Sequence, residues 1–378
     1  MIKNIGIVDI DTASIYGPRM LRIQTKKKSI ETPCRMITST EKMFRKDLAL
    51  SPLDERFEIE TPLFELVKTP RLKTIQDLRR VNGVLNKQRK SINNGLRGFD
   101  ESITFLNLRF TGKEGEPLLQ DIESLIDLQC TTKLDLVSIP DLSRLSEKEE
   151  FETYIMNHRK RVEGISNKEA VPIIDMKNSE DVFKMKIETA IENSFNMIVL
   201  RCRSFYNFYA NYRFIEDTKK EEEVWFHMVD TFRNIPTASL NYTNLPQVFG
   251  IDTVSPLTPY AGRRPKEVAP EDTKRFDRMS FDNLSLRIQK EKYDDQLGCN
   301  CPVCQEKTVS NYIEEYKSCE NSKEKNPLYK WSRLHEIFAT NSEFEIGRSF
   351  IKSQEFDHYL ESRTSAQNFL SSLPKRIL

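Results

Sequence analysis

Three of the seven cysteines, Cys299, Cys301 and Cys304, lie within six residues of one another, and His335 follows further along the chain. Thiolates at gaps of one and two residues can converge on one soft cation, and Pro302 stiffens the turn between them. A neutral imidazole from a following helix then completes a tetrahedral Cys3His shell. Because four protein ligands leave no open coordination position, the spacing predicts a structural Zn2+ ion that holds the fold together.

The choice of His335 as the fourth ligand rests on its position relative to the cysteines. His158 and His227 lie far upstream of the cluster, and His358 lies further downstream than His335. The alternative to a metal site is three unlinked thiols in a loop, and the density of the cysteines favours the metal. An odd cysteine count with one cluster also fits metal ligation in a reducing compartment better than a disulfide framework.

The composition limits the class of protein. At 378 residues, 38% of them hydrophobic, the chain can bury a full core as one large domain or as a domain with an appendage. No apolar run approaches the roughly 18 residues that span a bilayer, and the amino terminus lacks the apolar core of a signal peptide. The sequence therefore predicts a cytoplasmic protein.

The charge distribution contains one local anomaly. The charges of the 58 basic and 57 acidic residues nearly cancel over the whole chain. The segment 68–97, however, contains nine basic residues and a single acid, Asp77. Such a segment predicts a surface for a nucleic-acid backbone, and the alternative is a solvated helix face. The nucleic-acid-binding candidates are Arg79, Arg80, Lys87, Arg89 and Lys90 in this segment, with Arg263 and Arg264 in a second basic group.

Along the chain, short apolar runs alternate with helical or charged segments. These are the elements that must position the candidate residues. Runs such as 197–200, apolar at successive positions, are typical of strands covered on both faces of a parallel sheet. No glycine-rich phosphate-binding fingerprint follows any strand, which argues against an open doubly wound sheet. The predicted strands lie at 33–37, 103–110, 133–139, 171–176, 197–202, 237–242 and 249–254.

We therefore predict an α/β fold with a closed (β/α)8 TIM-type barrel and an inserted or carboxyl-terminal zinc-binding subdomain. Residues 1–30 are predicted to form an antiparallel lead-in, and residues 31–290 the barrel. Residues 291–378 are predicted to contain the zinc-binding subdomain and the carboxyl-terminal helices. Active sites of such barrels lie at the carboxyl ends of the strands, so acids at those ends are the candidates for chemistry.

Several of these pieces, taken in order, resemble the tRNA-guanine transglycosylase superfamily. Residues 30–33 resemble its "ETP" element, residues 135–141 resemble the strand that ends in a base-binding aspartate, and residues 250–252 resemble the "GID" of its nucleophile strand. The cysteine cluster with a later histidine resembles its zinc site, and the form in archaeal members is particularly similar. The resemblance implies a (β/α)8 barrel with a zinc subdomain and exchange of a guanine base without cleavage of the strand.

The resemblance also implies roles for individual residues. Displacing guanine from its sugar requires a carboxylate nucleophile, a proton-transferring acid and a group that reads the flipped base. Asp252 is the predicted nucleophile, Asp100 the predicted general acid/base, and Asp141 and Asp175 the predicted base-binding residues. A gapless overlay on "GID" sets Ser255 at the nucleophile position, so Ser255 competes with Asp252 for that place.

Other features depart from the tRNA enzymes. The family's Asp-Ser-Gly-Gly-Phe-Gln element is absent, and residues 200–203 replace its glycine-rich pocket strand. These departures resemble the branch that inserts 7-deazaguanine bases into DNA, so DNA and a base of the 7-cyano-7-deazaguanine type are the predicted substrates. The alternatives are a tRNA-guanine transglycosylase and a catalytically silent nucleic-acid-binding paralogue that acts as a partner subunit. An ATPase or helicase that opens the duplex is a further possible partner.

Overall fold

A computed structural model describes most of the chain and shows an α/β structure in which parallel strands alternate with helices. The described residues are 2–14, 16–39, 41, 63–110, 115–231, 243–256, 269–304, 307–318 and 327–373. The strands are β1 (Ile2–Ile10), β2 (Arg19–Thr25), β3 (Ser29–Glu31), β4 (Cys34–Arg35), β5 (Ile37–Thr38), β6 (Leu63–Lys68), β7 (Ile103–Leu108), β8 (Leu136–Ile139), β9 (Glu169–Asp175), β10 (Met197–Arg201), β11 (Trp225–Val229), β12 (Thr253–Val254), β13 (Lys274–Asp277) and β14 (Asp282–Ser285).

The helices lie between and after the parallel strands. They are α1 (Leu72–Arg80), α2 (Asn82–Leu96), α3 (Leu119–Cys130), α4 (Lys148–Ile165), α5 (Glu180–Glu192), α6 (Phe205–Glu221), α7 (Leu245–Val248), α8 (Leu286–Lys292), α9 (Val309–Ser318), α10 (Pro327–Lys352), α11 (Phe356–Glu361) and α12 (Thr364–Ser371). Among the described residues, no helix has both the length and the apolar character needed to cross a bilayer.

The first three strands form an antiparallel sheet in the order β1-β2-β3. Its buried side chains, among them Ile5, Ile23 and Ile30, share one apolar cluster with Ile103 and Trp225 from the beginnings of β7 and β11. The sheet therefore covers the amino-terminal ends of the parallel strands. Both longer strands of this sheet lie within residues 1–30, where the sequence predicts an antiparallel lead-in.

The parallel strands form two sheets, and each edge strand of one sheet adjoins an edge strand of the other. One has the order β4-β12-β11-β10-β9-β8, and the other has the order β5-β6-β7. At one junction a single residue, Met36, separates β4 from β5. At the other junction the Asp135 amide donates to the Thr104 carbonyl at 3.0 Å, and the Ser138 hydroxyl donates to the Leu106 carbonyl at 2.6 Å.

Burial explains which segments become strands. All five residues of β10 are buried, as are all six residues of β7, because helices cover one face and the other strands cover the opposite face. Each large aliphatic side chain buried in this way contributes about 2 kcal/mol to folding. The structure therefore confirms the parallel strands that the sequence predicts at these two positions.

Two parallel strands, β6 and β11, lie outside the strands predicted from the sequence. Glu65 interrupts the apolar run of β6, and His227 interrupts that of β11. A predicted strand at 237–242 lies outside the described residues. The predicted strand at 249–254 is shorter in the structure, because the chain turns at Gly250 and pairs only at 253–254.

The carboxyl-terminal region packs against the parallel strands through the long helix α10. The Arg35 guanidinium donates to the Thr340 hydroxyl at 2.8 Å, and the Arg348 guanidinium donates to the Pro33 carbonyl at 2.7 Å. On its other side, α10 contacts the β13–β14 hairpin. Helix α10 therefore connects the cysteine-containing region to the first parallel strand.

Candidate functional site

The structure brings the four predicted metal ligands together. The ligand atoms of Cys299, Cys301, Cys304 and His335 all lie within 4.8 Å of one another. The Cys304 sulfur is 3.1 Å from the His335 Nδ1, and the Cys301 sulfur is 3.4 Å from the same nitrogen. These separations suit four donors around one ion, given typical metal–sulfur and metal–nitrogen bonds of about 2.3 and 2.0 Å.

Groups around the cluster orient the ligands. The His335 Nε2 lies 2.6 Å from the Phe276 carbonyl and donates to it, so that Nδ1 is the ring nitrogen that faces the thiols. The Arg275 guanidinium donates to the Cys304 sulfur at 2.6 Å. Hydrogen bonds from the Cys301 and Cys304 thiols lower the pKa of the Cys299 thiol. The Phe276 carbonyl and the Arg275 guanidinium are thus the groups that hold the imidazole and the Cys304 sulfur in place.

The donor set decides what such an ion can do. Three soft sulfur ligands and one imidazole suit a tetrahedral ion and leave no open position for water or substrate. The tetrad spans the loop after α8 and the helix α10, so an ion would join segments that are far apart in the sequence. The four residues could thus hold a metal ion with a structural role.

Asp252 lies in a buried ion pair. Its side chain is fully buried, and its Oδ1 and Oδ2 accept from the Nε and Nη2 of Arg19 at 3.0 and 2.9 Å. Oδ2 also accepts from the Phe226 amide at 2.7 Å. The residue precedes β12 and therefore lies at the amino-terminal end of the strands, away from the end where barrel active sites form. The predicted nucleophile role does not fit this position, because the fully buried carboxylate lies at the end of the strands opposite the one where barrel active sites form.

The glycine of the "GID" element also has a structural role. Gly250 adopts a φ of +68°, and a Cβ added there would lie 2.3 Å from the Lys219 Nζ. That ammonium donates to the Phe249 carbonyl at 2.9 Å in a fully buried position. Glycine is needed here for the left-handed turn and for the close approach of the lysine.

Asp100 and Asp252 do not come together. The Asp100 side chain is 70% exposed and lies 4.0 Å from the Lys133 ammonium, before the beginning of β7. An exposed carboxylate at the amino-terminal end of a strand and a fully buried one paired with Arg19 do not share a cavity. The predicted pairing of Asp100 with Asp252 as acid/base and nucleophile is therefore not supported by their positions.

Asp141 and Asp175 do lie together at the carboxyl ends of β8 and β9. The Asp141 Oδ1 accepts from the Lys186 ammonium at 2.6 Å, and its Oδ2 accepts from the Asp175 amide at 2.9 Å. The Asp141 side chain is 3% exposed and that of Asp175 is 11% exposed. Asp175 thus has the more accessible carboxylate, and Asp141 anchors the backbone that carries it.

The predicted basic surface lies on α1 and α2, between β6 and β7. The side chains of Arg79, Arg80, Lys87, Arg89 and Lys90 are all exposed. The nearest carboxylate contact is between Arg79 and Asp121 at 3.8 Å. Arg263 and Arg264 lie outside the described residues.

A second polar cluster, which we call the acid–arginine cluster, lies at the carboxyl ends of β7, β10 and β11 and includes an acid from the middle of β6. Asp230 forms ion pairs with Arg109, with Arg201 at 3.6 Å and with Arg203 at 3.7 Å. The Asn107 amide connects this group to an acid on β6. The members of the cluster are Glu65, Asn107, Arg109, Arg201, Arg203 and Asp230.

Glu65 lies beneath Asp230 and is almost completely buried. The Asn107 Nδ2 donates to the Glu65 Oε1 at 2.6 Å, and the Asn107 Oδ1 accepts from the Arg201 Nη2 at 3.0 Å. Burial raises the pKa of Glu65 to about 7, although a hydrogen bond from Ser255 opposes the shift. The negative charge of Asp230 contributes to this raised pKa. Glu65 is therefore poised to exchange a proton near neutral pH.

A chain of hydrogen bonds leads to Glu65 from the adjoining strands. The Ser255 hydroxyl donates to Glu65, so its oxygen accepts from the His227 Nε2 at 3.1 Å. Burial lowers the pKa of His227 to about 3, so the ring is neutral and its Nδ1 accepts from the Thr253 hydroxyl at 2.8 Å. The Thr253 oxygen in turn accepts from the Trp225 indole at 2.6 Å.

This order of donors has a chemical consequence for Ser255. Because the Ser255 hydroxyl donates to Glu65, the serine proton points at that carboxyl group and not at the His227 imidazole. A Ser–His nucleophile pair is therefore not formed. Ser255 instead positions the Glu65 carboxyl group.

The burial of Glu65 predicts a specific pH dependence of stability. From pH 4.5 to about 7 the unfolded state ionises Glu65 while the folded state keeps it protonated, so the free energy of unfolding falls as pH rises. A Glu65→Gln variant lacks this loss and should gain on the order of 3 kcal/mol relative to the wild type between pH 4 and pH 8. Urea unfolding at about pH 4 and about pH 8 measures the free energy of unfolding of the variant and of the wild type. A difference between the two proteins that is the same at both pH values would contradict the assignment.

Glu65 and Asp230 are absent from the candidates predicted from the sequence. A signal for Asp230 exists, because an acid follows directly on the almost entirely apolar segment 225–229, at the carboxyl end of a strand. The signal for Glu65 is weak, since a charged residue inside an apolar run argues against a buried strand.

Comparison with known proteins adds little. Neither the scan against protein-family models nor the search of curated proteins finds a match. Solved structures that match include 3-dehydroquinate dehydratase from Geobacillus kaustophilus HTA426, with 15% identity and a TM-score of 0.37 over 68% of this chain and 90% of that chain. A likeness of this size carries no conclusion about the activity of this chain.

Proposed function

We propose that the chain is a transglycosylase that exchanges guanine in DNA for a 7-deazaguanine base of the 7-cyano-7-deazaguanine type. The observation that carries the proposal is the assembled tetrad of Cys299, Cys301, Cys304 and His335, whose spacing resembles the superfamily's zinc site. In this proposal the ion is Zn2+ and has a structural role. A structural site of this kind fixes the fold of the carboxyl-terminal region and performs no step of the exchange.

The order of the strands supports a closed (β/α)8 barrel as the scaffold. If β4 and β5 count as one strand interrupted at Met36, the two parallel sheets hold eight strands in chain order. The hydrogen bonds between the Thr104 and Asp135 segments join the remaining edges. A closed barrel directs all carboxyl ends of its strands to one mouth, which is where the acid–arginine cluster and Asp175 lie.

The exposed basic residues on α1 and α2 support a nucleic acid as the polymer substrate. We expect a variant with glutamine at Arg79, Arg80, Lys87, Arg89 and Lys90 to bind duplex DNA more weakly and with a flatter salt dependence. Each lost phosphate contact reduces the slope of log K against log salt by about 0.9. Fluorescence anisotropy from 50 to about 200 mM salt measures the slope.

A matched control uses basic residues on another face of the molecule. Lys148 and Lys184 pair with acids on the outer surface of α4 and α5. Glutamine at these two positions should leave the slope unchanged. Equal slopes for the wild type and the five-residue variant would contradict a DNA-binding role for α1 and α2.

A direct exchange assay tests the function. Radiolabelled guanine or 7-cyano-7-deazaguanine is supplied with duplex DNA, with premelted DNA and, separately, with tRNA. We expect label in DNA and none in tRNA. Label only in premelted DNA would indicate that a helicase or ATPase partner must open the duplex, and label only in tRNA would favour the tRNA enzyme.

A second candidate function is a catalytically silent paralogue that binds nucleic acid as a partner subunit. The observation that favours it is Ser255 at the overlaid nucleophile position, together with the pairing of Asp252 with Arg19. This candidate predicts DNA binding with no incorporation of label into any polymer. The exchange assay and the anisotropy measurement together separate the two functions.

A further inference from the structure

We propose that Glu65 and Asp230 form the catalytic carboxyl pair, with Asp230 as the nucleophile and Glu65 as the proton-transferring group. The inference rests on the proposed function and assigns its chemistry to residues that the resemblance does not point to. Their position is the first reason: Asp230 directly follows β11, and Glu65, from the middle of β6, belongs to the same acid–arginine cluster.

The backbone at Asp230 is unusual. Its φ of +58° lies in the left-handed region, which a residue other than glycine occupies at an energetic cost. Such conformations are found at functional sites where the surrounding structure holds them in place. Here the neighbouring β10 residue Arg201, in register with Val229, pairs with the Asp230 carboxylate.

Three arginines surround the Asp230 carboxylate. Arg109 and Arg201 approach it from buried positions, and Arg203, whose side chain is 39% exposed, approaches from the solvent side. The Asp230 side chain itself is 3% exposed, so Arg203 is the member of this group that faces solvent. Guanidinium groups on that side also suit a nucleotide phosphate next to the reacting sugar.

Glu65 has the complementary environment. It is buried, accepts from Asn107 and Ser255, and has a pKa raised to about 7 mainly by burial. Both carboxyl groups are buried, but Asp230 lies among arginines and Glu65 is hydrogen-bonded by neutral groups, and such contrasting environments can give the separate roles of nucleophile and acid. The hydrogen-bond chain through Ser255 and His227 keeps the Glu65 carboxyl group in a fixed orientation.

The other acids of the strand ends and the "GID" element are less suited to these roles. Asp141 is engaged by the Lys186 ammonium and by backbone, and Asp252 is engaged by Arg19 at the opposite end of the strands. Asp175 accepts from the Lys177 amide and remains the proposed reader of the base edge.

The reaction balances with these groups alone. An Asp230 oxygen forms a bond to C1′ while the C1′–N9 bond breaks, its electron pair stays on the departing guanine, and Glu65 supplies the proton. The result is a sugar–Asp230 ester, an ionised Glu65 and free guanine. The incoming 7-deazaguanine base then loses its N9 proton to Glu65, its nitrogen bonds to C1′, and the Asp230 carboxylate leaves.

The experiment measures exchange into DNA and traps the ester. We expect Asp230→Asn to lower exchange at least about a thousandfold, and Glu65→Gln to lower it about a hundredfold or more and to remove the limb of the pH profile near 7. Matched controls are Asp217→Asn and Glu149→Gln, which alter exposed acids on α6 and α4 and should leave exchange unchanged.

The trapped ester decides the assignment in the wild-type chain, even if a variant fails to fold. Wild-type protein is incubated with DNA without an incoming base, denatured and digested, and mass spectrometry should find the sugar adduct on the peptide that contains Asp230. An adduct on Ser255, Asp252 or Asp100, or full exchange by a folded Asp230→Asn variant, overturns the pair while the proposed function stands. A wild type that labels neither DNA nor tRNA overturns the function and the pair together.

Discussion

Replacing His335 with alanine is expected to abolish stoichiometric metal binding and to destabilise the whole chain. The imidazole closes the tetrad, and its other nitrogen donates to the Phe276 carbonyl on β13, so its loss frees both α10 and the cysteine loop. Structural zinc contributes about 10–16 kcal/mol in small domains, and loss of even a third of that is on the order of 5 kcal/mol. Because α10 also holds β4 through Arg35 and Arg348, the effect should reach the parallel strands.

Elemental analysis and calorimetry check this prediction. The wild type should contain one zinc per chain, and the His335→Ala variant should contain far less and melt on the order of 10 °C lower. His358→Ala is a matched control, because that histidine lies on α11 with its side chain 74% exposed. A His335→Ala variant with full zinc content and an unchanged melting temperature would exclude the tetrad as the metal site.

The second large effect is expected from Asp252→Ala. Removing the carboxylate leaves the Arg19 guanidinium buried without its charge partner and leaves the Phe226 amide without an acceptor. An uncompensated buried charge of this kind costs about 3–5 kcal/mol. Exchange activity per folded molecule should remain, because the pair lies at the amino-terminal end of the strands.

Urea unfolding together with the exchange assay separates stability from catalysis. Asp100→Ala is the comparison, since its carboxylate is exposed and its loss should change stability by less than about 0.5 kcal/mol. If Asp252→Ala kept wild-type stability and lost all exchange, the sequence-based nucleophile assignment would be restored. The two variants thus test directly the pair of acids that the resemblance selects.

The sequence by itself determined the metal-ligand set. Cys299, Cys301 and Cys304 are close in the chain, and a soft tetrahedral ion accepts few other arrangements, so local spacing was sufficient. The fully apolar strands such as 197–201 were also predictable, because burial on both faces leaves a direct mark on composition. The alternation of parallel strands and helices follows from those runs.

Only the tertiary structure decided which acids are available for chemistry. Asp252 looks like a nucleophile until Arg19, far away in the sequence, is seen to bind both of its oxygens. No local pattern marks Glu65, and only its place after an apolar run marks Asp230, yet neighbouring strands place the two acids in one cluster with buried arginines. The physical reason is that the charge and reactivity of a carboxyl group depend on the groups within a few ångströms of it. Strands distant in the chain supply those groups, and no local pattern records them.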